Sequence, residues 1–458
     1  MDRTIDPCHD DPLHLEQGAH LVSYGKPKRQ KLHLRSMAKV YLIAFLLSAI
    51  MTFLFLRHAI SPHATVLMAR STLLQTRLTN SQQTRLSLNS DSTFKISIFS
   101  DLHYGEDEFS FGPAADVNSG KVIRHVLDNE KPDFVIMNGD LITGENTYRH
   151  NSTLNFDVLV KPLVDGGYRW ASTYGNHDSK FNLSREALFE REHRYEGALT
   201  QHGPSGTDGV TNYMIPIYPS NSSHEGKPVA LLYFFDSRGG SQGNNVNNDN
   251  IGNWVTEATA AWFTQTSNSA QAKWGVVPSF LFVHIPIYAY SALQSSTSGS
   301  KLSSKYFPGL NDDKPLAPQG DSAVGPYSGQ DIPFMKAILN TKGLHSIYTG
   351  HDHADSWCGL WPDEATPHTP SSNSGSEFAS NGRPFLCFCK HTGYGGYGNW
   401  FRGSRQLQLR FGADGRIKVE SWVRMQFGDD HPQVVTKIGL NSTYGKDEYP
   451  TEAGGHRH

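Results

Sequence analysis

The sequence is poor in cysteine and almost balanced in charge. Four cysteines in 458 residues exclude a small domain built from disulfides, because the core has to come from ordinary burial of apolar side chains. The net charge is only −3, so no strong overall field attracts the chain to nucleic acid. With 37% hydrophobic and 19% charged residues, the composition also excludes a disordered acidic chain, a collagen and a coiled coil.

One long apolar run lies near the N-terminus. Residues 40–56 read VYLIAFLLSAIMTFLFL and carry no charge, and as a helix they would span about 25 Å, near the lower limit for crossing a bilayer. We predict a single transmembrane helix there. A buried core helix is the alternative, but both faces are apolar, so no face is left for water. Such a short span suits a thin membrane such as that of the endoplasmic reticulum.

Basic residues on the N-terminal side of this run predict its orientation. Lysine and arginine recur between residues 26 and 39 without an acid among them, whereas Arg57 alone follows the run closely. By the positive-inside rule, residues 1–39 form a cytosolic basic tail and the body lies in the lumen of the endoplasmic reticulum, Golgi or vacuole, or outside the cell. A cleaved signal peptide, and hence secretion, is the alternative, but no A-x-A site follows. The stretch KPKRQK also fits a nuclear signal, although its place beside an apolar run favours a role in topology.

Glycosylation sequons and cysteines agree with this orientation. The N-x-S/T sequons all follow the apolar run, at Asn151, Asn182, Asn221 and Asn441, and such sites are used in the secretory pathway. In an oxidising compartment Cys358 could form a disulfide with either Cys387 or Cys389, which leaves one thiol over.

The remainder divides into a linker, one large domain and a tail. Residues 57–92 are rich in polar residues and are predicted to be a stalk, residues 93–446 form the domain, and residues 447–458 are predicted to be disordered. From Phe94 onward, short apolar runs alternate with helical stretches, and several runs end in polar residues. This pattern predicts an α/β layered domain whose strands deliver polar side chains to a common rim. Residues 405–425 are predicted to form a hairpin that turns at Asp414–Gly415.

The polar residues at the strand ends are of the types that bind metal ions. They lie in five segments, Asp101-Leu102-His103, Gly139-Asp140, Gly175-Asn176-His177-Asp178, His284 and Gly350-His351-Asp352-His353. In an extended segment, residues two positions apart point the same way, which applies to the pairs in the first and last segments. Carboxylates, an amide oxygen and imidazoles together suit borderline-to-hard divalent cations.

These segments, DLH, GD, GNHD, VHIP and GHDH, resemble the motifs of the calcineurin-like metallophosphoesterase superfamily. The resemblance covers roughly residues 94–425, and GHDHADSWCG with the later YGGYG is most similar to the fungal phosphatases and the plant purple-acid-phosphatase-like proteins. It implies a four-layer α/β/β/α sandwich around two sheets, with a dinuclear metal site at the strand ends.

The resemblance also implies a role for each residue. The first metal ion would be held by Asp101, His103 and His353, and the second by Asn176, His284 and His351, with Asp140 bridging the two. The two divalent ions, Mn, Zn or Fe, would share a hydroxide that attacks phosphorus. The catalytic residues would be His177, which contacts phosphate and protonates the leaving oxygen, and Asp178, which either orients His177 or only caps the turn.

Some positions depart from the relatives or carry a weaker signal. Thr143 stands where purple acid phosphatases have a tyrosine ligand, and His103 where they usually have glycine, so a coloured ferric centre is not expected. Asp236 and Arg238 are interpreted as a structural ion pair. His391 and Tyr394, beside a glycine-rich turn, are candidates for contact with substrate.

Together these features predict a metal-dependent phosphoric ester hydrolase anchored in a membrane. The expected substrates are phosphomonoesters, in small molecules or phosphoproteins. A phosphodiesterase that uses the same site is the first alternative. A catalytically silent lumenal binding protein is the second, although every expected ligand position is filled.

Overall fold

The computed structural model describes the chain in several stretches. These are residues 46–48, 85–144, 147, 152–180, 183–220, 226–241, 250–295, 316–321, 325–362, 383–426 and 434–436. The chain divides into two units, Met1–Ser81 and Gln82–His458. In the first unit residues 46–48 are helical.

Several predictions fall on residues that lie outside these stretches. They are the cytosolic tail, all of the anchor but residues 46–48, residues 57–84 of the stalk, the C-terminal tail and the asparagines of the four sequons. Within the described residues, no helix is both long enough and apolar enough to cross a membrane.

Strands and helices alternate along most of the second unit. The strands described are β1 Leu86–Ser87, β2 Thr93–Phe99, β3 Phe134–Asn138, β4 Trp170–Thr173, β5 Tyr213–Tyr218, β6 Ala230–Phe235, β7 Ser279–Val283, β8 Leu344–Thr349, β9 Cys358–Leu360, β10 Phe385–Phe388, β11 Gly403–Phe411, β12 Ile417–Met425 and β13 Val434–Thr436. The helices are α1 Gly112–Glu130, α2 Ser152–Asp165, α3 Arg185–Glu192, α4 Glu257–Trp274, α5 Tyr288–Ser295 and α6 Ile332–Asn340.

These strands form two mixed sheets. The six-stranded sheet has the order β13-β12-β11-β2-β3-β4, in which β2, β3 and β4 are parallel. The seven-stranded sheet has the order β1-β5-β6-β7-β8-β10-β9, in which β6, β7, β8 and β10 are parallel. The predicted hairpin is confirmed, because β11 and β12 pair antiparallel from Gly403↔Met425 to Phe411↔Ile417 around a turn that contains Gly415 at φ 77°.

Three apolar clusters separate four layers. The first lies between the sheets and contains Ile96 of β2 and Phe282 of β7. The second covers the other face of the seven-stranded sheet, where Phe235 packs with Phe263 of α4. The third joins β3, through Val135, to helices α1 and α2. Strands β3 and β7 are buried at every residue, which explains why they read as continuous apolar runs rather than alternating ones.

The disulfide is formed by Cys358 and Cys387. They lie opposite each other in the antiparallel register of β9 and β10, and this register chooses between the two pairings that the sequence left open. Cys389 is a buried free thiol.

Candidate metal centre

The site lies where parallel strands of both sheets end. Asp101 and His103 follow β2, and Asp140 follows β3 of the same sheet. From the other sheet, His284 follows β7, and His351 and His353 follow β8. The two sheets are linked directly at this point, since the backbone N–H of His351 donates to Asp101 Oδ1 at 2.9 Å.

Two groups of three ligand-type side chains meet here. We name them the first triad, Asp101, His103 and His353, and the second triad, Asp140, His284 and His351. Within each triad the potential ligand atoms all lie within 4.8 Å of one another. Five of the six side chains are buried and His351 is half-buried, so the triads are largely withdrawn from water.

Asp140 lies between the two triads. Its Oδ2 is 2.9 Å from His284 Nε2 in the second triad and 3.7 Å from His103 Nε2 in the first. Asp101 is also close to both, since its Oδ1 is 3.7 Å from His353 Nε2 and 3.9 Å from His284 Nε2. The arrangement has the geometry of two adjacent cation sites with a carboxylate between them.

Three histidine rings of the triads are held in place through contacts of their Nδ1 atoms. The ring of His284 places Nδ1 2.9 Å from the carbonyl oxygen of Asn138, and His353 places Nδ1 2.7 Å from that of Tyr397. Because a carbonyl only accepts, Nδ1 donates in both rings and Nε2 is left to face the centre. His103 Nδ1 lies 3.0 Å from Thr143 Oγ1, so Thr143 holds the ring of this ligand-type histidine in place.

The backbone is strained at four of these positions. Asp101, His103, Asp140 and His351 have φ values of 54°, 47°, 49° and 78°, a region that costs an ordinary residue on the order of 1–3 kcal/mol. Such strain persists where the surrounding structure fixes a side chain in a required position. Here it turns each side chain inward as the chain leaves a strand.

The charges fit divalent cations. Burial and the neighbouring Asp140 raise the pKa of Asp101 to about 6, although His284 opposes this shift. Burial lowers the pKa of His284, but the charges of Asp140 and Asp101 outweigh it and raise the value to about 9. A positive charge on His284 thus offsets the negative charges of the two buried carboxylates. Bound cations would offset the same charges. Asn176 adds a buried Oδ1 that has no hydrogen-bond partner among the described residues.

His177 occupies the open edge of the centre. Its backbone N–H donates to Asp140 Oδ1 at 2.8 Å, which holds residues 176–177 against the second triad. Its side chain is half-buried, and its ring lies 4.9 Å from that of His103. His177 is therefore placed where a group outside the triads can be reached.

Two roles were open for Asp178, orienting His177 or capping the turn. Its Oδ1 accepts hydrogen bonds from the backbone N–H groups of Leu141 and Ile142, at 2.8 and 3.0 Å, and its Oδ2 accepts one from Gly175 at 2.8 Å. These bonds tie the loop after β3 to the loop after β4. They fit the second role, in which Asp178 caps the turn and positions the loop.

Comparison with known proteins decides the family. The family model described as calcineurin-like phosphoesterase matches residues 94–355, which is more than half of the chain. The chain belongs to this family. The resemblance read from the five motifs is thereby confirmed.

Among curated proteins, the chain has relatives in a plant and in fungi. The probable inactive purple acid phosphatase 14 of Arabidopsis thaliana is 24% identical over 388 residues, which cover 77% of this chain and 86% of that protein. The phosphatase DCR2 of Saccharomyces cerevisiae is 27% identical over 306 residues, which cover 64% of this chain and 49% of that protein.

Solved structures of low identity also align with the chain. A dimetal phosphatase from Danio rerio is 12% identical with a TM-score of 0.44, and the alignment covers 76% of this chain and 99% of that one. The purple acid phosphatase PPD1 of yellow lupin is 10% identical with a TM-score of 0.38, covering 74% and 52%.

Two further residues of this calcineurin-like phosphoesterase lie at the centre. Lys180 places Nζ 3.4 Å from His177 Nδ1, and Tyr397 stacks on His353 with ring centroids 4.0 Å apart. Neither directly follows a strand, so the pattern of strand ends does not single them out, although Tyr397 is the second tyrosine of the YGGYG stretch.

The weaker candidates are also placed by the structure. Asp236 forms a buried ion pair with Arg185 at 3.2 Å, which confirms a structural role for Asp236 and corrects its partner. His391 is fully buried and its ring lies against that of His353, with centroids 4.0 Å apart and an angle of 33° between the planes, and Tyr394 donates to Gln426 Oε1 at 3.0 Å. Contact of either residue with substrate stays a prediction.

Proposed function

We propose that this chain is a phosphomonoesterase that depends on two divalent cations, one held by each triad, with Asn176 completing the second site and Asp140 bridging the two. The observation that carries the proposal is the position of Asp140 Oδ2 between His284 Nε2 and His103 Nε2, at 2.9 and 3.7 Å. Mn, Zn and Fe all suit this mixture of imidazole and oxygen ligands.

The chemistry divides between the cations and the chain. Bound cations supply an activated water and neutralise charge that develops on the phosphoryl oxygens. The chain holds the ligands with their Nε2 and carboxylate atoms facing one space, withdraws them from bulk water, and leaves His177 at the open edge.

His177 is the proposed donor to the leaving oxygen. An ammonium group has only donors, so the 3.4 Å contact with Lys180 makes His177 Nδ1 the acceptor and leaves the proton on Nε2. A proton held there can pass to the ester oxygen as its bond to phosphorus breaks, while Nδ1 takes up a proton from the Lys180 ammonium, so that the ring stays neutral and Lys180 is left as the amine. The positive charge of Lys180 at the same edge favours a substrate with a doubly charged phosphate, which is a monoester rather than a diester.

Two other functions remain to be compared with this one. A phosphodiesterase would use the same ligands. A silent binding protein is the second, and it gains weight because a plant relative is named probable inactive, whereas the yeast relative is named a phosphatase. In this chain the ligand-type side chains are all present and converge, which supports an active enzyme.

The test is hydrolysis of p-nitrophenyl phosphate by the full chain, purified in detergent and loaded with Mn²⁺. We expect turnover in the wild type and its loss in Asp140→Asn, because the neutral amide cannot replace the charge shared by both sites. Asp165→Asn, an exposed change on α2, is the matched control and should keep full activity.

Three results would contradict the proposal. Unchanged turnover in Asp140→Asn would remove the bridging role. Faster hydrolysis of bis(p-nitrophenyl) phosphate than of the monoester would favour the phosphodiesterase. No hydrolysis of either ester by a wild-type protein that contains two metal ions would favour the binding protein.

We further propose that the enzyme is a type II membrane protein, anchored by residues 40–56, with the domain in the lumen or outside the cell. The charge asymmetry around the apolar run supports this orientation, and so does the disulfide between Cys358 and Cys387, since disulfides persist in oxidising compartments.

A further inference from the structure

Two aromatic rings pack against the ring of His353. The ring of His391 lies with its centroid 4.0 Å away at an angle of 33°, and that of Tyr397 stacks at 4.0 Å with an angle of 14° between the ring planes. The ring contacts found for His103, the other histidine of the first triad, are all edge-on in the described part of the chain.

Tyr397 also binds His353 through hydrogen bonds. Its carbonyl oxygen accepts from His353 Nδ1 at 2.7 Å, and its hydroxyl oxygen accepts from the His353 backbone N–H at 2.9 Å. One residue therefore fixes the rotation of the ring, its tautomer and the path of the backbone that carries it.

The segment that presents Tyr397 is itself anchored at several points. Arg402 donates to the carbonyl oxygens of Gly393 and Gly398, and the backbone N–H of Gly396 donates to the Glu106 carboxylate. A Cβ on Gly396 would lie 2.5 Å from His353 Cε1, and its φ is 73°. Glycine is required for this close approach, so the segment is shaped to lie against the first triad.

We propose that Tyr397 is a positioning residue that sets the affinity of the first triad for a divalent cation. The inference rests on the proposed function, because it requires that the first triad binds a metal ion. Residues that orient a ligand histidine typically change metal affinity by about 10–100-fold when they are removed. The tyrosine is 36% exposed, so its side chain can be truncated with less damage to the core than that of a buried residue.

The test measures Mn²⁺ binding to the metal-free full chain in detergent, by isothermal titration calorimetry with elemental analysis of the loaded protein. We expect Tyr397→Ala to weaken one of two Mn²⁺ sites by about 10–100-fold and to leave the other unchanged. Both variants keep the backbone carbonyl oxygen of residue 397 and lose its hydroxyl, but only Tyr397→Phe keeps the stacked ring, so it should recover most of the affinity. Tyr394→Phe, which removes a hydroxyl bound to Gln426 on the same segment, is the matched control and should bind like the wild type.

The outcomes separate this inference from the function on which it rests. Two sites of wild-type affinity in Tyr397→Ala overturn the positioning role and leave the phosphatase proposal intact, even if the melting temperature falls. Equal weakening in Tyr394→Phe also overturns it, because any change in the segment would then suffice. A wild-type chain that binds no Mn²⁺ overturns both proposals.

Discussion

At the scale of single residues, burial distinguishes the ligand-type side chains of the centre from the side chains beside them that are partly exposed. The ligand-type residues are mostly buried, whereas His177 is half-buried at the edge, with Lys180 beside it. The proposed proton donor is not a metal ligand, so it belongs to this second, partly exposed group.

We expect His177→Ala to lower kcat by about 10²–10⁴-fold, the usual contribution of a positioned acid or base. Bound metal should not change, because the backbone N–H of residue 177 still donates to Asp140 Oδ1. Steady-state kinetics and elemental analysis of the same sample measure both quantities, with His193→Ala on the exposed end of α3 as the control. A fall in metal content would make His177 a ligand instead.

The ligand types could be predicted from the sequence because each follows an apolar run, and parallel strands bring their carboxyl ends to one edge. The residues that orient them could not. Thr143 reaches His103 from another loop, and Tyr397 is 44 residues from His353. The sequence left the role of Asp178 open between orienting His177 and capping the turn, because its backbone contacts exist only once the loops after β3 and β4 are in place.

At the scale of elements, strand β8 carries a polar residue inside the fold. His345 is buried, its ring lies 5.6 Å from those of Phe280 and Phe385, and burial lowers its pKa to about 4. In the unfolded chain the ring of His345 takes up a proton near pH 6.5. Between these values the unfolded state binds more protons, so stability is complete above about pH 6.5 and falls as the pH drops toward 4.

We therefore expect His345→Gln to reduce the acid sensitivity of the fold. In the wild type this group should lower the free energy of unfolding by roughly 1–2 kcal/mol between pH 7 and pH 5, and the amide, which takes no charge, should abolish that component. Urea denaturation at the two pH values measures the difference, with His193→Gln as the control. The same loss in wild type and His345→Gln would show that another group is responsible.

Element pairing also explains what sequence reasoning could and could not decide. The hairpin of β11 and β12 was predictable because its turn residues are local. The disulfide pairing could not be predicted, since Cys387 and Cys389 are only two positions apart in the sequence. Only the register of β10 against β9 brings Cys387 opposite Cys358.

At the scale of the whole molecule, the proposed orientation predicts glycans on the part of the protein that follows residue 57. We expect the full chain from its native cells to lose mass on treatment with an N-glycosidase, because all four sequons follow residue 57. Replacing the asparagines of the sequons by glutamine should abolish the shift. An unchanged mass, together with cleavage of the body by protease added from the cytosolic side, would reverse the orientation.

The pairing of β2 with β11 has a consequence for shortened forms of this polypeptide. The family match ends at residue 355, yet β2, which leads into Asp101, has β11 of residues 403–411 as its neighbour on one side. A premature stop codon anywhere between these positions would leave all seven proposed ligands in the shortened chain and still remove the strand beside β2, which leads into two of them. Such a fragment would keep every residue of the family match and lose the strand that supports the loop carrying Asp101 and His103.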